Sequence, residues 1–99
     1  MIKDEDTIKK EIKSFIDENG GGFSKWYSGI TNDAEERLFK QHKVKNGYIY
    51  RNAGSKDTAE SIEEYLTNEL GTKGKGGGGT PESTYVYSYK IKDYTVEDT

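Results

Sequence analysis

Two spacings of apolar residues alternate along this chain. Between residues 6 and 19 they recur at i, i+4, i+7 and i+8, as Ile8, Ile12, Phe15 and Ile16, which is one stripe of a helix. Asp4 and Asp6 put negative charge at its start, where the helix dipole favours it. Asn19-Gly20 is a stop, because glycine accepts the left-handed conformation that ends many helices. After the turn Gly20-Gly21-Gly22 the spacing drops to two. Residues 23–31 predict a strand with Trp26, Ser28 and Ile30 on one face and Tyr27, Gly29 and Thr31 on the other.

A short helix over residues 33–42 comes next. Asn32-x-x-Glu35 and Asp33-x-x-Glu36 both fit a capping box, and Ala34 and Leu38 form its apolar stripe. Residues 47–53 alternate again, with Tyr48 and Tyr50 opposite Ile49 and Arg51. Residues 58–70 predict a third helix, opened by Asp57-x-x-Glu60, lined by Ala59, Ile62 and Leu66, and ended by Gly71. Residues 71–82 read as a flexible glycine-rich loop. Residues 83–91 form the clearest strand, Tyr85, Tyr87 and Tyr89 against Val86, Ser88 and Lys90, and residues 93–99 read as a disordered tail.

The expected order is therefore α-β-α-β-α-β: one α+β domain over residues 1–99, with a three-stranded, mainly antiparallel sheet flanked by helices. Three strands with a helix packed on them is about the smallest sheet that is stable alone. The order of the strands in the sheet is left open.

Composition changes this picture in one respect. The chain is 30% hydrophobic and 33% charged, a balance that borders on disorder. Its eight Tyr, three Phe and one Trp fall in short runs instead, so the core is expected to be thin and aromatic. With no cysteine, a disulfide framework and a thiolate metal site are both excluded. No apolar stretch approaches a membrane span and residues 1–10 carry no hydrophobic signal core, so a cytoplasmic protein without a membrane partner is expected. The net charge of −3 means that phosphate binding would require segregated charge.

The chemistry is concentrated between residues 26 and 70. Tyr27-Ser28-Gly29 ends a strand, Thr31-Asn32-Asp33 makes a turn, Arg37 follows Gly29 by eight residues, and His42 closes the helix. This pattern resembles the second half of the motif of the GIY-YIG nuclease superfamily. The first half, a Gly-Ile-Tyr strand upstream, is absent. The last strand, Tyr85 to Tyr89, can take the empty sheet position and a tyrosine from it can stand in for the missing one.

The resemblance implies a metal-dependent phosphodiester (DNA) hydrolase. Tyr27 would activate water, Arg37 would hold the phosphate, and a glutamate on the third helix would bind Mg²⁺ or Mn²⁺. Glu60, Glu63 and Glu64 are the candidates. At about 100° per residue, Glu63 lies beside Ala59 and close to Leu66 on the core side, and is chosen. A lone carboxylate suits Mg²⁺, which keeps most of its waters. Lys73 and Lys75, in the glycine-rich loop, are further candidates for phosphate contact. The alternative is a catalytically inactive domain of the same kind that binds a nucleotide or a protein partner, such as an inhibitor from a phage or accessory bacterial gene. Oligomeric state is left open.

Overall fold

Ile8, Ile12 and Ile16 are fully buried on one side of the first helix, α1 (Glu5–Glu18), and Phe15 is half-buried beside them. The Asp4 carboxylate caps it by accepting from the Thr7 amide at 2.8 Å. At its other end the amides of Asn19 and Gly21 turn back to the carbonyls of Phe15 and Ile16. The computed structural model describes residues 2–74 and 79–98.

Three strands follow: β1 (Trp26–Thr31), β2 (Tyr48–Asn52) and β3 (Tyr85–Lys90). They form one antiparallel sheet in the order β1-β3-β2, so the last strand of the chain is the central one. The register pairs Tyr27 with Tyr89 and Gly29 with Tyr87 across β1 and β3, and Tyr50 with Tyr87 across β2 and β3. Because side chains alternate along each strand, every strand tyrosine falls on one face.

The other face carries the aliphatic core. Trp26, Ile49 and Val86 pack there against Ile8, Ile12 and Ile16 of α1 and against Ala59, Ile62 and Leu66. Those last three belong to α2 (Lys56–Glu64) and its continuation, Tyr65–Leu70, which widens into π geometry. The Phe15 ring meets Trp26 edge-on, centroids 5.9 Å apart. Buried within this face, the Ser28 hydroxyl links to Ser88 at 2.7 Å and accepts from Thr72 at 2.9 Å, which satisfies all three.

The predicted helix over residues 33–42 is largely a π-helical segment, Glu36–Gln41. Of its two candidate caps, Asp33 acts: its carboxylate accepts from the Glu36 amide at 3.1 Å. The third helix begins two residues earlier than read, because Ser55 rather than Asp57 caps it, by accepting from the Thr58 amide.

The glycine-rich loop expected over residues 71–82 lies at 75–78 outside the described residues, and its first residues stay on the sheet. Lys73 exchanges backbone hydrogen bonds with Trp26 and Ser28, at 2.7 and 2.8 Å, and so covers the open edge of β1. Of the tail expected over residues 93–99, the described part, 93–98, makes a turn at Lys92–Thr95 and returns across the tyrosine face. Among the described residues no helix is long and apolar enough to cross a membrane.

Candidate functional site

The tyrosine face is covered by the π-helical segment, and the site lies between them. Leu38 and Val44 hold the segment against Tyr27, Tyr87 and Tyr89. Its geometry matters for what it presents. In an α-helix, residues five apart point about 140° away from each other. Here the His42 amide donates to the Arg37 carbonyl at 2.9 Å, an i→i−5 bond, which stacks residues five apart along the axis. Arg37 and His42 therefore reach the same atom. Arg37 Nε lies 3.4 Å and His42 Nε2 lies 2.8 Å from the Tyr87 hydroxyl. Gln41 accepts a second hydrogen bond from the Arg37 guanidinium.

His42 is fully buried among Tyr27, Tyr87 and Tyr89, with ring centroids at 5.0, 5.5 and 5.0 Å. Its protonation can be assigned from its partners. Nδ1 sits 2.6 Å from the Val96 carbonyl oxygen, which can only accept. Nδ1 therefore carries a proton. In the neutral ring Nε2 is then a bare acceptor, and the Tyr87 O–H donates to it. The Tyr87 oxygen in turn accepts from Arg37.

Gly29 makes room for this arrangement. A Cβ at residue 29 would stand 2.5 Å from the Tyr87 hydroxyl oxygen and 2.7 Å from Cζ, so the Tyr87 ring lies over a bare backbone. The glycine of Tyr-x-Gly thus accommodates the tyrosine of the neighbouring strand.

Tyr27 lies in the same wall, 5% exposed. Burial pushes its hydroxyl up, the Arg37 guanidinium pulls it down, and the carboxylates of Glu63, Glu97 and Asp98 push it up again. Tyr87, 1% exposed, is pushed up to about 12, chiefly by burial and against the hydrogen bond and charge of Arg37. Tyr89 is pushed up by burial and by its bond to Glu97.

Glu63 enters from α2. It is 4% exposed, and its Oε1 has no hydrogen-bond partner among the described residues. Burial first, then the neighbouring Glu60 and Glu64, raise its carboxyl to about 7. Its charge acts on both Tyr27 and Tyr87. A buried, unpartnered carboxylate oxygen is a hard donor suited to a hard cation such as Mg²⁺ or Mn²⁺, so the residue fits the metal that the resemblance implies. No cluster of three or more metal-ligating His, Asp or Glu exists among the described residues.

Of the residues singled out from the sequence, Tyr27 and Arg37 meet on the tyrosine face, whereas Glu63 stands on α2, which packs against the aliphatic face, and bears on Tyr27 and Tyr87 only through its charge. Lys73 pairs through its backbone with Tyr27 in a parallel bridge, which puts it on the tyrosine face. Lys75 lies outside the described residues. Tyr87 was legible only as one of three alternating tyrosines. His42 read as an ordinary helix end. Tyr89 was legible in the same way as Tyr87, and Glu97 carried no signal of its own.

Comparison with protein-family models, with curated proteins and with solved structures finds no match for this chain.

Proposed function

We propose that this chain is a metal-dependent phosphodiester hydrolase of GIY-YIG type that acts on DNA. The observation that carries the reading is the meeting of Arg37 and His42 at one tyrosine hydroxyl, Tyr87, with Tyr27 alongside; Glu63, whose buried Oε1 has no hydrogen-bond partner among the described residues, adds its charge at both tyrosines. The central position of β3 supports a second part of it: the tyrosines of the last strand take the place of the absent first strand of the motif.

Arg37 holds the scissile phosphate. Its planar fork offers paired donors, and its partners in the free protein are neutral groups that a phosphate displaces without leaving a buried charge behind. As Arg37 turns to the phosphate it releases a lone pair of the Tyr87 oxygen for the attacking water. That water gives a proton to the Tyr87 oxygen while the Tyr87 proton passes to His42 Nε2. No free phenolate forms, which matters because burial holds this phenol at about 12. Water activation is thereby assigned to Tyr87, the tyrosine with a base behind it, and Tyr27 donates to a phosphate oxygen. Glu63 would hold Mg²⁺ or Mn²⁺, which supplies charge for the developing oxyanion.

The test is a cleavage assay on duplex, single-stranded and branched DNA with Mg²⁺ or Mn²⁺. Cutting that stops on chelation, and that is lost in both Glu63→Gln and Arg37→Ala, is the expected result. Wild-type protein that cuts none of these substrates, or Glu63→Gln that cuts as well as wild type, would end the reading.

One observation favours the alternative of a binding module without catalysis. Glu97 and Asp98 put negative charge beside Tyr27, where a phosphate would approach, in a chain whose net charge is already −3. On that reading the same assay shows no cleavage.

A further inference from the structure

Residues 92–98 are tied to the site at several points. Thr95 closes a turn on Lys92 through both its amide and its hydroxyl. The Val96 amide then donates to the His42 carbonyl at 2.8 Å, and the Val96 carbonyl accepts from His42 Nδ1 at 2.6 Å. One residue on, Glu97 Oε2 accepts from the Tyr89 hydroxyl at 2.9 Å, and the same hydroxyl oxygen lies 3.2 Å from His42 Nδ1.

These contacts have one consistent assignment of protons. Tyr89 has a single hydroxyl proton, and Glu97 takes it. The Tyr89 oxygen can then only accept from Nδ1–H, alongside Val96. Read from the outside in, the chain runs from the Glu97 carboxylate to Tyr89, to His42, to Tyr87 and to Arg37.

We propose that Glu97 is a positioning residue of the site: through Tyr89 it supports the Nδ1 proton that the Val96 carbonyl holds, which leaves Nε2 to accept from Tyr87, and it stabilises the imidazolium formed when Tyr87 passes its proton inward. The proposal rests on the reading of Tyr87 and His42 as the proton relay of a hydrolase. In that step the water O–H bond breaks as a new O–H bond forms at Tyr87. The former Tyr87 proton becomes the Nε2 proton, and His42 becomes cationic. The water oxygen's electron pair forms the bond to phosphorus as the bond to the leaving oxygen breaks, and that oxygen takes a proton from solvent. The positive charge appears on a ring with no exposure to water, so the Glu97 carboxylate, linked to it through one hydroxyl, helps to balance it. Other charged or titratable groups that face His42 among the described residues include Tyr27 from β1, Tyr87 and Tyr89 from β3, and Arg37 through Tyr87, with Glu63 and Asp98 acting at the tyrosines.

His42 is the only histidine of the chain, so long-range ¹H–¹⁵N NMR reports one imidazole and no other. Glu97 is half-buried, and glutamine keeps its shape, so the full-length Glu97→Gln protein is compared with wild type and with Glu97→Asp. Wild type should carry its neutral-ring proton on Nδ1. In Glu97→Gln the His42 titration midpoint should fall by at least about half a pH unit. Its kcat should fall about tenfold or more with little change in KM for DNA, and the acidic limb of the pH profile should move with the NMR midpoint. Glu97→Asp should recover most of both effects. An unchanged His42 midpoint and tautomer in Glu97→Gln would overturn the proposal. So would faster cleavage by that variant, which would make the acidic segment an obstruction. If wild type cuts nothing, the hydrolase reading falls by itself, and the NMR comparison alone decides whether Glu97 governs His42.

Discussion

The Tyr87 ring lies over Gly29, its hydroxyl oxygen 2.5 Å from where a Cβ at that glycine would stand. The two residues are directly paired across β1 and β3, so the ring cannot avoid a side chain there without leaving His42. Gly29→Ala should therefore tilt Tyr87 away and break its 2.8 Å bond to His42. The expected loss is about 1–3 kcal/mol of stability, as for other overpacked sites. Urea unfolding measures the first effect, and the His42 ¹⁵N shifts measure the second. A variant as stable as the parent, with His42 unmoved, would show that the ring does not need the bare backbone.

Glu63 sets a pH dependence whose sign can be worked out. Its carboxyl is raised from 4.5 to about 7 in the fold, so the folded chain prefers the protonated form. The stability this contributes is complete below about pH 4.5 and is lost as pH rises through about 7. Glu63→Gln removes that loss. Above pH 8 the variant should be the more stable protein, by about 1–3 kcal/mol, and the two should converge in acid. Mg²⁺ should raise the melting temperature of the parent at pH 8 and leave that of Glu63→Gln unchanged. Parallel stability curves for the two proteins across pH 4 to 9 would contradict the burial of an unpaired carboxylate.

Arg37→Ala should leave the fold intact, since its side-chain partners are the Tyr87 hydroxyl and Gln41. Cleavage should fall by at least about a hundredfold, the scale of a lost transition-state donor. Lysine at the same position should recover little, because it lacks the paired donors. Full activity in Arg37→Lys would mean that only a positive charge is needed.

The two tyrosines should separate in kinetics. Tyr87→Phe removes the oxygen that joins Arg37 to His42 and should lower kcat by about 10²–10⁴-fold. It also leaves the buried Nε2 without its partner, at a cost of about 1–3 kcal/mol. Tyr27→Phe should lose less activity, because the observed bonds to His42 and Arg37 belong to Tyr87. The reverse order of effects would return water activation to Tyr27.

Ile12, fully buried between α1 and the sheet, tests the core itself. Ile12→Ala should cost about 2–5 kcal/mol in urea unfolding. A change below about 0.5 kcal/mol would mean that α1 is not part of the cooperative core.

What the sequence by itself determined is local and periodic. The stripe Ile8, Ile12, Ile16 required a helix with one buried side. The alternation at Trp26–Thr31 and Tyr85–Lys90 required strands with an aliphatic face and a tyrosine face. The angle between Glu63 and Ala59 was enough to turn that carboxylate inward. These follow from steps of one to four residues, where side-chain direction is set by the backbone repeat. The order β1-β3-β2 was decided elsewhere, because strand pairing joins residues some sixty positions apart and leaves no periodic trace. That order alone selects Tyr87 from eight tyrosines and sets it over Gly29. The π geometry of Glu36–Gln41, which brings Arg37 and His42 to one hydroxyl, differs from an α-helix by one residue per hydrogen bond, too small a change for an apolar stripe of two residues to register. The docking of residues 92–98 was hidden for a related reason. That segment is polar, and what holds it is a buried carbonyl, a buried imidazole and a tyrosine, partners that exist only once the sheet has formed.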